Sequence, residues 1–331
     1  MTRDNSDYFN LLYTRERKKI NSILKNAVKK RKPASLYGPG AYILNSNGKR
    51  LRPFLVLLSA KAAGGDFKSA YNAAAAVEML HNFTLVHDDI MDNANKRRGR
   101  QTLHKKYDNN TAILVGDSLL SVAYEYLLKD CNGKSKSILN SFTKGLEEIC
   151  EGQSLDTEFE KRKQVSLAEY MEMIRKKTAS MLKMCCEIGA TLGGGQPADV
   201  KAMANYGLNI GIAFQIQDDL LDITATEEKF GKQIGGDLIK GKKTYLFIKA
   251  LDKSKGNDHK MLRKVIERKG IKRNQVKKFK KLYENLDLLN DAKGVINHYT
   301  KKALKSISTI RKESDREILV WLADSLIMRT K

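Results

Sequence analysis

Six aspartates carry the clearest chemistry in this sequence. Asp88, Asp89 and Asp92 stand in TLVHDDIMD, and Asp218, Asp219 and Asp222 stand in FQIQDDLLD, so the pattern DDxxD occurs twice, 130 residues apart. On a helix, residues four apart share a face one turn along, which pairs Asp88 with Asp92 and Asp218 with Asp222. Carboxylates crowded into apolar helices repel one another and resist burial unless a cation joins them. All-oxygen ligands with no cysteine nearby select a hard ion, Mg2+ over Zn2+. Mg2+ keeps several waters and shares its shell with substrate phosphate, so two such helices facing one another can hold a metal-bound diphosphate. One acidic cluster alone reads as solvated surface, but two in apolar surroundings do not. For Asp89 and Asp219 a metal-free pairing with local arginines stays open.

Basic groups recur in short motifs: GKRLRP from Gly48, RRGR from Arg97, KKT from Lys176, GKQIGGD from Gly231 and GKKT from Gly241. Arg forks bind phosphate oxygens in pairs, Lys supplies a mobile point charge, and neighbouring glycines let backbone approach an anion. Together the motifs suit several phosphate groups. The Walker pattern GxxxxGK[ST] does not occur, which disfavours ATP chemistry.

The elements that must position these groups read as helices. Only four prolines occur in 331 residues, and few β-branched runs alternate. The pattern predicts helices over Tyr8 to Lys32, Leu51 to Ala63, Ser69 to Asn93, Thr111 to Lys129, Ser135 to Gln153, Leu167 to Leu192 and Asp199 to Thr224. SLYGPG reads as a loop, and so does the glycine- and lysine-rich stretch Lys229 to Lys243. Ala112 to Val115 is short enough to hide a strand. Four or so further charged helices follow Thr244. No linker and no internal repeat is visible, so residues 1–331 are expected to form one all-α domain.

The formal charge is +23, and residues 252–312 hold 19 Lys or Arg against 6 Asp or Glu. These lysines are scattered without interleaved aromatics, which favours a solvated surface over a nucleic-acid site. The four cysteines form no CxxC pair, as expected for reduced thiols in a cytoplasmic protein. The N-terminus lacks a signal-like apolar core, and no run of about 18 apolar residues predicts a transmembrane segment.

In order along the chain, GKRLRP, LHNFTLVHDDIMD, RRGR, EGQSLD, KKTA, FQIQDDLLD, GKQIGGD and GKKT resemble the motifs of the trans-prenyl diphosphate synthases, over about residues 36–250. Residues 251–331, a basic helical part, carry little signature. The resemblance implies the isoprenoid synthase fold, a large single-domain helical bundle around a central cavity, usually homodimeric. It implies head-to-tail condensation of isopentenyl diphosphate with dimethylallyl, geranyl or farnesyl diphosphate, with Mg2+ as cofactor, three ions per site when substrate is bound.

By the same resemblance, Asp88, Asp92, Asp218 and Asp222 bind Mg2+. Arg97, Lys177, Lys232 and Lys242 hold the allylic diphosphate, with Thr178 and Gln215 beside the reacting carbon. Lys177, Thr178 and Gln215 form the catalytic set. Lys49, Arg52, His81 and Arg98 hold isopentenyl diphosphate. Gln153 and Asp156 support the site, and His87 is structural. Phe83, an aromatic five residues before Asp88, with the small Thr84 after it, resembles the archaeal-type geranylgeranyl synthases and sets chain length. Some relatives fold a basic tail over the site, a role open to Arg329 and Lys331. The alternatives are a farnesyl or bifunctional farnesyl/geranylgeranyl synthase and, more remotely, a class I terpene cyclase or a non-catalytic basic subunit. DDLLD and the isopentenyl-site cations oppose the cyclase, and the intact aspartate motifs oppose the non-catalytic subunit.

Overall fold

The computed structural model describes residues 3–46, 48–131, 133–225 and 234–327. Helices dominate: α1 Arg3–Lys29, α2 Ala34–Leu44, α3 Leu51–Ala62, α4 Tyr71–Met91, α5 Leu103–Lys106, α6 Asn109–Lys129, α7 Ser135–Lys161, α8 Leu167–Ile174, α9 Ser180–Leu192 and α10 Pro197–Thr224. They continue with α11 Gly236–Ile239, α12 Tyr245–Lys253, α13 Gly256–Arg268, α14 Val276–Asn285, α15 Leu288–Ser306 and α16 Glu313–Ile327. Among the described residues the only sheet is a hairpin of two-residue strands, β1 Lys96–Arg97 and β2 Arg100–Gln101. The all-α expectation holds. The strand sought at 112–115 is absent, because Asp108 caps α6 by accepting the Thr111 amide and carries the helix through that run.

The chain forms two compact units, each assembled from separated segments. The first comprises Met1–Ser141, Cys185–Lys201 and Ile310–Ile318. Its core gathers Leu57, Ala73 to Ala76, Leu80, Val115, Leu119 and Ile188. The alanine run combines high helix propensity with side chains small enough for close helix packing. The second unit comprises Phe142–Met184, Ala202–Thr309 and Leu319–Lys331. Its core centres on Tyr170, Ile216, Phe247, Leu262, Phe279, Tyr283 and Leu288. Burying each of these large apolar side chains contributes about 1.5–3 kcal/mol.

Three local expectations are corrected. SLYGPG is helical, within α2, with Pro39 inside it. Proline in an early turn removes few backbone bonds, and α2 packs on α1 and α6. The stretch Leu167 to Leu192 is not one regular helix: residues Arg175–Ala179 form a π-helical turn between α8 and α9. The stretch Lys229 to Lys243 contains the single turn α11. The expectation that nothing is apolar enough to span a membrane also needs amendment. By length and composition α6 qualifies, although one flank packs on α4 and α2.

Candidate active site

Both DDxxD motifs end their helices. Asp88 and Asp89 lie in the last turn of α4 with Asp92 as its C-cap, and Asp218, Asp219 and Asp222 lie in the last two turns of α10. A helix C-terminus carries the negative end of the macrodipole, so carboxylates there are disfavoured unless a cation arrives. The three members of each motif differ. In the first unit Asp88 is half-buried and Asp92 exposed, whereas Asp89 is buried and its Oδ1 accepts from Arg97 Nε at 2.8 Å. Burial raises the Asp89 pKa, against the opposing pull of Arg97.

Arg97 arrives on the RRGR hairpin. Strand pairing sets Arg97 opposite Arg100, and Arg98 and Gly99 form the two-residue turn with φ of 52° and 77°. Such a turn favours Asn-Gly, so an arginine there occupies a strained left-handed conformation. Arg100 donates to the Tyr42 carbonyl at 3.1 Å and lies over the Tyr42 ring, so the loop is anchored by the one arginine that the sequence did not assign to a site.

GKRLRP precedes and opens α3. Arg50, at φ 49°, is buried and donates to Glu78 Oε1 at 2.5 Å, Leu44 O at 2.6 Å, Ser46 O at 2.9 Å and Asn21 Oδ1 at 2.8 Å. Sequence reasoning missed this residue, which fixes the turn that carries Lys49 and Arg52. Its partners lie 4 to 29 residues away in sequence and no local signal marks them. Gly48 leaves room for these guanidinium groups: a Cβ would stand 2.8 Å from a guanidinium nitrogen of both Arg50 and Arg98, and those ends would have to shift. Lys49 is exposed, with its carbonyl accepting from the Tyr13 hydroxyl. Arg52 Nη1 lies 3.2 Å from His81 Nε2. Guanidinium nitrogens only donate, so Nε2 accepts and the neutral ring keeps its proton on Nδ1. Burial and the charges of Arg52, Arg98, Arg97 and Arg50 hold the His81 pKa well below its usual value. Ser46, Asn82, Asp89, Arg97 and Arg98 line one pocket. Phe83 meets His87 edge-on at 4.6 Å, and Thr84 turns its hydroxyl back to the His81 carbonyl.

In the second unit the π turn positions the basic and neutral polar groups. π turns recur at functional sites because the extra residue re-aims side chains. Gly152 of α7 and Gly211 of α10 press on this turn: a Cβ on Gly152 would stand 2.2 Å from the Lys177 amide nitrogen, and one on Gly211 would stand 2.5 Å from Ala179 Cα. Lys177 donates to Asp156 Oδ2 at 2.6 Å, and Lys242 Nζ lies 3.7 Å from the same oxygen. Burial alone would raise the Asp156 carboxyl, but the two lysines overcome it and hold the pKa below the ordinary range. Asp156 was expected to play a supporting part; it directly gathers two of the predicted diphosphate lysines.

Thr178 Oγ1 donates to Gln215 Oε1 at 2.9 Å, Gln215 Nε2 donates to Asp219 Oδ1 at 3.0 Å, and Asp219 Oδ2 accepts from the Tyr170 hydroxyl at 2.5 Å and the Tyr245 amide at 3.1 Å. Burial and the charge of Asp237 push the Asp219 pKa up to about 7. The arginine partner left open for this residue is replaced by two tyrosines and a glutamine. Asp222 differs again. Its two oxygens accept from the Gly236 and Asp237 amides at 3.1 and 3.2 Å, tying the GGD turn to α10. Lys232, Arg329 and Lys331 lie outside the described residues.

Among the described residues no three His, Cys, Asp or Glu side chains form a ready-made metal centre. Asp88 with Asp92, and Asp218 with Asp222, offer oxygen donors one helical turn apart. That donor set fits Mg2+, which completes its shell with water and substrate phosphate.

Comparison with known proteins agrees with this chemistry. The polyprenyl synthetase family model matches residues 33–286. The geranylgeranyl diphosphate synthase of Sulfolobus acidocaldarius is 37% identical over 98% of this chain and 99% of its own length. The crystal structure of geranylgeranyl pyrophosphate synthetase from Pyrococcus horikoshii is similar at a TM-score of 0.90 and 34% identity, covering 97% of this chain and 99% of that one. A polyprenyl synthase from Caulobacter crescentus, complexed with calcium and isoprenyl diphosphate, matches at a TM-score of 0.90 and 28% identity, covering 98% of each chain.

Proposed function

This chain belongs to the polyprenyl synthetase family and is a short-chain isoprenyl diphosphate synthase, a prenyltransferase, and we propose that it condenses isopentenyl diphosphate with allylic diphosphates to give mainly geranylgeranyl diphosphate. The family works on diphosphates with divalent metal ions. The proposed cofactor is Mg2+, three ions per site with substrate bound, held by Asp88, Asp92, Asp218 and Asp222. When bound, Mg2+ supplies charge neutralisation for the departing diphosphate.

The protein groups divide the remaining work. Lys177 and Lys242 leave Asp156 for the allylic diphosphate, joined by Arg97 and Lys232, and stabilise it as the C–O bond breaks. Thr178 and Gln215 present oxygen dipoles to the allylic cation. Lys49, Arg52, Arg98 and neutral His81 hold isopentenyl diphosphate so that its double bond attacks that cation. That attack forms the new C–C bond and leaves a tertiary cation on the isopentenyl unit; the adjacent carbon then gives up a proton to the released diphosphate, and the double bond re-forms. What most supports this reading is the π turn, which places Lys177 beside Thr178 and Gln215: cationic groups for a leaving anion directly next to uncharged acceptors for a carbocation.

Phe83 is the proposed floor for the growing tail, about 7–8 Å back from Asp88 along α4, with Thr84 leaving space beside it. Residues 1–331 then form one prenyl synthase domain, as the near full-length match to the Sulfolobus enzyme supports. A cytoplasmic setting suits its four free thiols.

Labelled isopentenyl diphosphate with dimethylallyl, geranyl or farnesyl diphosphate as primer tests the proposal, with the dephosphorylated products separated by chain length. The expected product is C20, abolished by chelation and lengthened in Phe83→Ala. A C15 product moves the assignment to farnesyl diphosphate. Turnover that survives chelation, or hydrocarbon formed from farnesyl diphosphate alone, overturns it.

A further inference from the structure

We propose that Asp219 positions Gln215, fixing which end of its amide meets the allylic cation, while Asp218 serves the metal. The proposal rests on the reading that Gln215 and Thr178 lie beside the reacting carbon. A glutamine amide has an oxygen end and an NH2 end of nearly equal size and opposite polarity. Only the oxygen end stabilises a carbocation; the NH2 end would oppose it. A catalytic glutamine therefore needs a partner that selects one orientation.

Asp219 meets that need. It lies one turn beyond Gln215 on α10, and every group directed at it is a donor: Gln215 Nε2 at 3.0 Å on one oxygen, the Tyr170 hydroxyl at 2.5 Å and the Tyr245 amide at 3.1 Å on the other. The Tyr245 amide is backbone and cannot reverse. With a carboxylate acceptor behind it, Gln215 presents NH2 inward and Oε1 outward, where Thr178 Oγ1 donates at 2.9 Å. The Thr178 hydrogen is thereby turned toward Gln215 and its lone pairs away from it. One carboxylate so orders two dipoles with their oxygens on the same side. Burial fits this role. Asp219 is 4% exposed and bonded by Tyr170 and Tyr245, whose rings pack edge-on, whereas Asp218 beside it is only half-buried.

Asp219→Asn is the informative variant, because it keeps shape and removes the acceptor from one side. The substituted amide satisfies Tyr170 and Tyr245 with its oxygen and offers NH2 to Gln215, which must then turn its own NH2 toward Thr178. The expected result is a fall in kcat of about a hundredfold, the size seen when one preorganised dipole is lost. KM for both substrates and the Mg2+ concentration for half-activation stay within about twofold of wild type, since ligand binding and metal binding are untouched. In the double variant Asp219→Asn/Gln215→Glu, the introduced carboxylate accepts from the introduced amide and returns an oxygen to the Thr178 side, so at least about tenfold of kcat is recovered.

A full-rate Asp219→Asn enzyme overturns the proposal. So does a loss expressed as a higher Mg2+ requirement, or one that Gln215→Glu leaves uncorrected. Gln215→Ala separates this inference from its premise. If Gln215→Ala retains full kcat, Gln215 is not at the reacting carbon and the premise falls. If Gln215→Ala is slow while Asp219→Asn is fast, only the polarity role falls.

Discussion

The six motif aspartates are one residue type in two copies of one pattern, yet their surroundings give them different work. The middle members, Asp89 and Asp219, are buried and each holds a neighbouring side chain, Arg97 in one case and Gln215 in the other. The outer Asp88, Asp92 and Asp218 are more open, and Asp222 also anchors a turn. His81 shows how strongly a site of arginines can constrain one group. Its pKa falls well below 6.5 in the folded state through burial and four guanidinium charges, while in the unfolded chain it titrates near 6.5. The unfolded state therefore binds the proton first on acidification. The resulting stability is fully present above about pH 6.5 and is lost as pH falls toward the folded value. Between pH 7.5 and 5.5 wild type should lose more stability than His81→Gln, by on the order of 1 kcal/mol, read from urea unfolding at each pH. Equal losses would show that His81 is not held neutral. The spacing of the aspartates was legible because i and i+4 are properties of sequence. The pairings of Asp156 with Lys177, of Asp219 with Tyr170 and Tyr245, and of Arg50 with Glu78 were not, because the fold brings these partners from 21 to 49 residues away.

At the scale of elements, helix existence was legible from apolar periodicity and alanine runs, and the misreadings have local causes. Glycine and proline in SLYGPG signal a loop, but packing on α1 and α6 outweighs that signal. The π turn leaves no mark in a continuous amphipathic pattern, since one extra residue shifts rather than ends it. The RRGR hairpin was read only as charge, yet it is a built element with a backbone cost. Arg98 occupies a left-handed position that Asn tolerates better, so Arg98→Asn should stabilise the fold by about 0.5–1 kcal/mol in thermal or urea unfolding. The same change should raise KM for isopentenyl diphosphate about tenfold or more, the loss expected for one charge-assisted bond to phosphate, with KM for the allylic substrate little altered. A variant that is more stable with an unchanged KM would leave the strain real and remove Arg98 from the isopentenyl site.

At the scale of the whole molecule, a net charge of +23 opposes self-association, so a homodimer needs an apolar seam. α6 supplies a candidate. One flank packs on α4 and α2, while Ile113, Leu114 and Leu128 are 43%, 60% and 49% exposed, and Met91 at the end of α4 adds a further exposed apolar side chain. A membrane would meet the same helix with Asp117, whose side chain is 60% exposed, which makes a second copy of the chain the better occupant. Leu114→Glu tests this without touching the core, because the residue already faces outward. Wild type should elute as a dimer by size exclusion with light scattering, and Leu114→Glu as a folded monomer with unchanged helical circular dichroism. Lower salt should weaken the wild-type dimer, since like charges on the two copies are then less screened. A wild type that is monomeric at every salt concentration, or a Leu114→Glu protein that remains dimeric, would place the exposed face of α6 outside any subunit interface.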